Sequence, residues 1–323
     1  MHTATLKRIF RLHVRTVDDK IISMKRIILF LVTNLAVMLA LSVAFHVICA
    51  LIGPEALESL SRDGIDYGTI MVFAVVFGMG GAFISLLLSK PIAKMSVRAR
   101  TITGSEGPQE RWLVQTVEDL ARRANVKTPE VAIYQGPANA FATGAFKNSA
   151  LVAVSTDIME QMSREELRAV LGHEMSHVVN GDMVTLTLVQ GVLNACVLFL
   201  SRVVGFLAQN ALSGKDEGRQ RGYGGVYYIV YYVMQIVLGI LASMVVCAYS
   251  RRREYAADAG SARLLGTQIP MIEALRRLGN LKPGVLPDSL KAMGISGKSA
   301  RNLFSTHPPL DARIDALMKW TPA

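Results

Sequence analysis

Cysteine is scarce. The 323 residues hold three, at positions 49, 196 and 247, each inside an apolar run and none near another at ligand spacing. This excludes a disulfide framework and a thiolate metal site, and it suits a reducing compartment. The three read as small buried apolar residues. Histidine is also sparse, with six in the chain. No internal repeat and no low-complexity segment is visible. Acidic residues are outnumbered, 25 against 35 basic, for a net charge of +10. A basic balance can serve nucleic acid. Here the charges flank apolar runs and form no stripe interleaved with aromatics, so no nucleic-acid partner is expected.

What the chain has in quantity is apolar residues, 51% of the total, with a mean hydropathy of +0.34. That exceeds an ordinary soluble domain and points to membrane spans and lipid contact. Residues 1–26 are basic, with Lys7, Arg8, Arg11, Arg15, Lys20, Lys25 and Arg26. The apolar run that follows is too long for a signal peptide and lacks a small-residue cleavage site. Met24-Lys25-Arg26 would make a natural start, so residues 1–23 read as an upstream extension, or else as a soluble amphipathic helix.

Four spans are expected, in two hairpins. The first hairpin covers 27–88, with spans at about 27–51 and 68–88; the second covers 183–248, with spans at about 183–207 and 226–248. Each is long enough to cross a bilayer at 1.5 Å per residue. The third is wetter, with Thr185, Thr187, Gln190, Asn194, Ser201 and Arg202, so a helix packed on other spans or lying in the interface is the alternative. In the second span Gly78, Gly80, Gly81 and Ser85 allow close helix contact. The loop between the first two spans carries Glu55, Glu58, Asp63 and Asp66 against one arginine. Lys90, Lys94, Arg98 and Arg100 follow the second span, and Arg251-Arg252-Arg253 follow the fourth. Basic flanks mark the cytoplasmic side, so segments 101–182 and 249–323 are expected there together.

Residues 101–182 read as globular. Gly104–Pro108 is a linker, and Glu110–Ala124 has helical periodicity through Leu113, Val117 and Leu120. Strands are expected at Pro129–Tyr134, Asn139–Gly144 and Ala150–Ser155. Ser163-Arg-Glu-Glu166 is a capping box that opens a helix running to a stop at Asn180-Gly181. Beyond the fourth span come a helix through Leu265, one near Pro270–Leu278, a loop rich in Gly, Pro and Ser, and a last helix from Leu310 to Trp320.

The Ser163 helix carries His173-Glu174-Met175-Ser176-His177, an H-E-x-x-H pattern. Residues four apart share a helix face, so both imidazoles can reach one ion, with Glu174 close to a metal-bound water. Two surface or core histidines are the plainer alternative. A catalytic zinc takes three protein ligands and leaves a fourth position for water. His2 and His13 lie in the basic head, His46 in a span and His307 elsewhere, so a glutamate is the economical third ligand. Glu254 leads: it begins a helix just past the fourth span, on the side where His173 lies. Asp258, one turn on, suits a carboxylate that holds a ligand imidazole by its other N–H. Glu254 could instead be a solvated partner of the arginine run.

Taken together, His173–His177, Asn180-Gly-Asp182 and the string Ser250-Arg-Arg-Arg-Glu-Tyr-Ala-Ala-Asp258-Ala-Gly-Ser-Ala262 resemble the HtpX-like bacterial membrane metalloproteases, relatives of the CAAX prenyl proteases. Asn139–Gly144, Leu151–Thr156 and Thr306-His-Pro-Pro-Leu-Asp311 extend the resemblance over residues 24–320. It implies a mainly α fold with a small β-sheet: a four-helix transmembrane part and a cytoplasmic zincin-like protease domain, split between 101–182 and 249–323. It implies one Zn²⁺ held by His173, His177 and Glu254, with Glu174 as general base and acid. It further implies that His307 and Arg313 lie near the cleft and stabilise the tetrahedral oxyanion, and that Asn139, beside an edge strand, holds a substrate carbonyl; a Pro-flanked turn, a solvated arginine and a turn asparagine are the plainer alternatives. The expected partners are membrane-protein or unfolded-protein substrates, in quality control and stress response at the inner membrane. A prenyl-protein protease and a catalytically silent membrane adaptor are the competing functions.

Overall fold

The computed structural model describes residues 67–212, 224–280 and 303–321, with Val43 alone before them. The expected span at 27–51, the acidic loop at 53–66 and the Gly/Pro/Ser-rich loop at 281–302 lie outside the described residues. In chain order the helices are α1 (Tyr67–Ser96), α2 (Pro108–Arg123), α3 (Thr156–Gln161), α4 (Arg164–Asn180), α5 (Asp182–Leu212), α6 (Gly225–Leu265), α7 (Ile269–Asn280) and α8 (Leu310–Met318). The strands are β1 (Arg100–Ile102), β2 (Glu130–Tyr134), β3 (Ala140–Thr143) and β4 (Leu151–Ser155). The sequence reading missed β1 and α3, the one too short for an alternating pattern and the other a single capped turn and a half.

Among the described residues three helices are long and apolar enough to cross a membrane: α1 from Ile70, α5 and α6. The boundaries expected around them need correction. Glu254 does not begin a new helix after the fourth span. α6 runs unbroken for 41 residues, carrying the apolar stretch, the arginine run, Glu254 and Asp258 on one rod. Its sequence offers no proline, and the first glycine after the arginine run, Gly260, is packed; the helix ends only at Gly266, which takes φ +78°. α5 likewise starts at Asp182, one residue after Gly181 closes α4.

The described residues divide into two compact units. The first takes in residues up to Gly80 with Gly191–Ile236. In it α1 and α5 touch at Gly78, where a Cβ would stand 2.5 Å from the Ala195 backbone nitrogen. Gly78 therefore does what the sequence assigned to a group of glycines; among the described residues nothing lies within 4 Å of a Cβ at Gly80 or Gly81.

The second unit, Gly81–Gln190 with Val237–Ala323, holds the sheet and all the candidate site residues. The strand order is β1-β2-β4-β3, with β2 and β4 parallel and the outer pairs antiparallel. The period-two alternation sorts side chains to two faces. Ala140, Ala142, Val152 and Val154 face the apolar sides of α2 and α4, through Leu113, Val117, Val170 and Leu171. Phe141, Leu151 and Ala153 face the other way, toward Ala93 at the end of α1. With both faces covered, β3 and β4 are buried throughout. β3 is the outer strand, so one of its edges is left to other partners.

α4 starts as the sequence expects. Ser163 accepts from the Glu166 N–H, and the Glu166 carboxylate accepts from the Ser163 N–H. It crosses α6 through small residues. A Cβ on Gly172 would meet Ser261 Oγ at 2.8 Å, and one on Gly260 would meet Ser176 Oγ at 2.4 Å and its Cβ at 2.7 Å. Gly260→Ala should therefore push α4 and α6 apart and lower stability by about 1–3 kcal/mol, as overpacking does. Ser176→Gly removes the obstructing side chain and should recover most of that loss, which thermal melts of the two single variants and the double variant will show.

Candidate metal centre

The crossing of α4 and α6 brings three ligand-type atoms together. His173 and His177 lie one turn apart on α4, and their Nε2 atoms are 3.2 Å from each other. Glu254 of α6 reaches both, Oε2 to His173 Nε2 and Oε1 to His177 Nε2, each at 3.4 Å. All three residues are buried, and the three donor atoms lie within 4.8 Å of one another.

Behind each imidazole stands a carboxylate, and behind each carboxylate an arginine. His173 Nδ1 is 2.9 Å from Asp258 Oδ1, and Arg313 grips Asp258 with Nε and Nη2 at 2.8 and 2.6 Å. His177 Nδ1 is 2.7 Å from Asp182 Oδ2, and Arg253 Nε donates to Asp182 Oδ1 at 2.6 Å. A carboxylate at Nδ1 draws the ring proton to that nitrogen, so each Nε2 lone pair points inward. Two lone pairs and a carboxylate turned on one point repel unless a cation sits there. Burial works to lower the His177 pKa, yet the hydrogen bonds to Asp182 and Glu254 override it and raise it to about 10. The field of the site thus favours positive charge. Glu254 Oε2 is buried without a hydrogen bond. Ligands about 2.0–2.2 Å from one tetrahedral ion lie roughly 3.2–3.6 Å apart, so the residues fit a metal.

Glu174 sits beside this cluster. Its Oε2 accepts from the Ala142 N–H of β3 at 2.7 Å, which ties the carboxylate to the outer edge of the sheet. Burial pushes its carboxyl up from the ordinary range, a direction that suits a group taking and returning a proton near neutral pH. His307 lines the same cleft as Ala142 and Glu174, with Nε2 3.6 Å from Glu254 Oε1. Burial brings its pKa down to about 4, although Glu254 works the other way, so the ring is neutral at pH 7. The segment bearing it is tied to α6, because Arg251 Nη1 donates to the Ser305 carbonyl at 2.8 Å and to the Leu303 carbonyl at 3.3 Å.

The structure thus brings together His173, Glu174, His177, Glu254, Asp258 and His307. It puts two other expected residues elsewhere. Arg313 is fully buried, forks onto Asp258, sets Nη1 3.3 Å from Glu254 Oε2 and does not line the cleft. It holds Asp258 from behind. Asn139 is buried just before β3, its N–H given to Ser155 Oγ and its carbonyl to the Ser155 N–H. Asn139 is not among the residues that line the cleft.

The structure adds Asp182 and Arg253 to the expected residues. Asp182 follows the α4 stop in Asn180-Gly-Asp182, five residues after His177, and that spacing across a left-handed Gly181 was the available signal. Arg253 was read as part of a topology signal; only its place beside Glu254 hinted otherwise. Asp182→Asn should weaken metal binding by about 10–100-fold, the usual cost of losing a carboxylate that orients a ligand histidine. Competition against a chelator of known affinity will measure it.

Comparison with known proteins agrees with this geometry. The model of peptidase family M48 matches residues 108–321. The chain is 53% identical over 294 residues to a protease HtpX homologue of Verminephrobacter eiseniae, covering 91% of this chain and 98% of that one. It is 52% identical over 299 residues to the protease HtpX homologue of Bordetella avium, covering 92% and 99%. Its fold is similar to the crystal structure of S. mikatae Ste24p, with a TM-score of 0.55 at 19% identity, over 89% of this chain and 66% of that one.

Proposed function

The chain belongs to peptidase family M48, and from that premise we propose that it is a zinc endopeptidase of a bacterial inner membrane, cutting membrane proteins on the cytoplasmic side. The observation that carries the chemistry is the buried meeting of His173, His177 and Glu254 beside Glu174. Two imidazoles and a carboxylate suit Zn²⁺ among the common ions. Bound there, zinc would polarise a peptide carbonyl and make water a nucleophile at neutral pH.

The protein's own groups do the rest. Asp258 and Asp182 fix the two imidazoles in the ligating tautomer, and Arg313 and Arg253 hold those carboxylates in place. Glu174 takes the proton of the attacking water and delivers it to the leaving amine. His307, neutral and in the cleft, donates to the oxygen on which charge develops. An extended peptide lies along the outer edge of β3, where the backbone groups of Ala140 and the Ala142 carbonyl give affinity with little sequence preference, the Ala142 N–H being held by Glu174. Such tolerance suits misfolded or damaged membrane proteins as substrates. The basic flanks Lys90, Lys94, Arg98, Arg100 and Arg251–Arg253 support the cytoplasmic orientation.

The test is cleavage of an unfolded membrane protein by the full chain purified in detergent, with Glu174→Gln alongside. Fragments should form with the wild type alone. Equal cleavage by both proteins would sink the assignment, and stoichiometric absence of metal from fresh wild-type protein would favour a silent adaptor.

A further inference from the structure

Arg202 is a cation within a membrane helix. It lies in α5, twenty residues after Asp182, in a helix apolar enough to cross a bilayer. Twenty helical residues cover about 30 Å, the thickness of a hydrocarbon core. Its neighbours repeat that spacing. Phe73 precedes Lys90 by seventeen residues, and Tyr231 precedes Arg251 by twenty. Each of the three helices therefore sets its member of this cluster about one membrane thickness from its own charged end. A cation at that depth lies at headgroup level, where lipid phosphates are within its reach.

Among the described residues its contacts are three. Nη1 donates to the Leu198 carbonyl at 3.1 Å, and Cζ lies 4.5 Å from the Phe73 ring centre and 5.4 Å from that of Tyr231. None is a carboxylate. A guanidinium has five N–H donors, and one is used here. The rings lie against it in cation–π contact, which leaves the donor edge, the part that matches a phosphate in fork geometry. Arg202 is half-buried. Tyr231 supplies a second donor. Its hydroxyl accepts from Gln235 Nε2 at 2.7 Å and keeps its own proton to give. Tyr227 stacks on Tyr231 with ring centres 5.8 Å apart, and Tyr228 meets Tyr227 edge-on, a group of the kind that settles at headgroup level.

We propose that Arg202 and Tyr231 bind the phosphate of an anionic phospholipid, in the leaflet opposite the basic flanks of the spans. A zwitterionic headgroup carries its own ammonium, so its phosphate is already balanced. An anionic one brings the negative charge that no carboxylate among the described residues supplies to this guanidinium. Free inorganic phosphate offers the same acceptor oxygens but no acyl chains to hold it beside apolar helices.

Native mass spectrometry of the full chain in detergent tests this, with phosphatidylglycerol or phosphatidylcholine titrated in and inorganic phosphate as competitor. The wild type should retain phosphatidylglycerol about tenfold better than phosphatidylcholine, and inorganic phosphate should not displace it. Arg202→Met should abolish the preference. Tyr231→Phe keeps the ring and removes only the hydroxyl; it should reduce the preference about threefold to tenfold, and it keeps the test decisive if Arg202→Met does not fold. Unchanged preference in Tyr231→Phe, or a folded Arg202→Met that retains it, would overturn the proposal. Displacement by inorganic phosphate would overturn the lipid assignment. The readout is lipid retention, so it stands apart from any result on peptide cleavage.

Discussion

Glu174→Gln should keep its metal and lose its chemistry, with kcat down by about 10²–10⁴-fold and metal content equal to the wild type. Glutamine has nearly the same shape and keeps an oxygen to accept from the Ala142 N–H, so the link between α4 and the edge of β3 survives. It cannot take a proton from water or return one to the leaving amine. The buried position of Glu174 sharpens the contrast, because burial raises its carboxyl toward the pH at which such transfer is efficient. Elemental analysis and a peptide-cleavage assay on the same preparation separate the two effects. Cleavage near the wild-type rate with metal in place would show that another group moves the proton.

Glu254→Ala should act one step earlier. The carboxylate touches both imidazoles and faces Arg313 and His307, so its removal takes a ligand and also leaves buried positive charge short of a partner. Metal affinity should fall further than the about 10–100-fold expected of Asp182→Asn, whose carboxylate acts through His177. Breaking a buried pair in this way costs about 3–5 kcal/mol in comparable settings, before any lost metal stabilisation is counted. A ligand that binds only the folded state adds about 2.7 kcal/mol at a hundred times its Kd. A chelator should therefore lower the Tm of the wild type and leave Glu254→Ala unmoved. A chelator shift of equal size in both would mean that Glu254 is not a ligand.

Much of this was legible in the chain, for definite reasons. Helix periodicity and a capping box announce α2 and α4, because those signals are local. H-E-x-x-H announces a ligand pair, because two positions four apart share a face whatever surrounds them. Glu254 and Asp258 were legible by elimination and spacing. Their helix was not, because a span and a charged extension differ in composition while their backbone continues unbroken through both. The outer ties were hidden for a similar reason. Three arginines after a span look alike in sequence. In the fold Arg251 holds the His307 segment, Arg253 holds Asp182, and Arg252 is exposed. Arg313 could be assigned to the cleft by resemblance, but only the packing of α8 shows it spent on Asp258. Asn139 is tied through its backbone to Ser155 of β4, a pairing that only the register of the sheet discloses.

The claim on which the rest depends is that two histidines and a glutamate share one metal ion. An X-ray absorption spectrum at the metal edge of freshly purified full-length protein tests it most directly. The account predicts zinc at one per chain, with two imidazole nitrogens at about 2.0–2.1 Å and the remaining positions filled by oxygen. Absence of stoichiometric metal, or a spectrum without imidazole scattering, would contradict it.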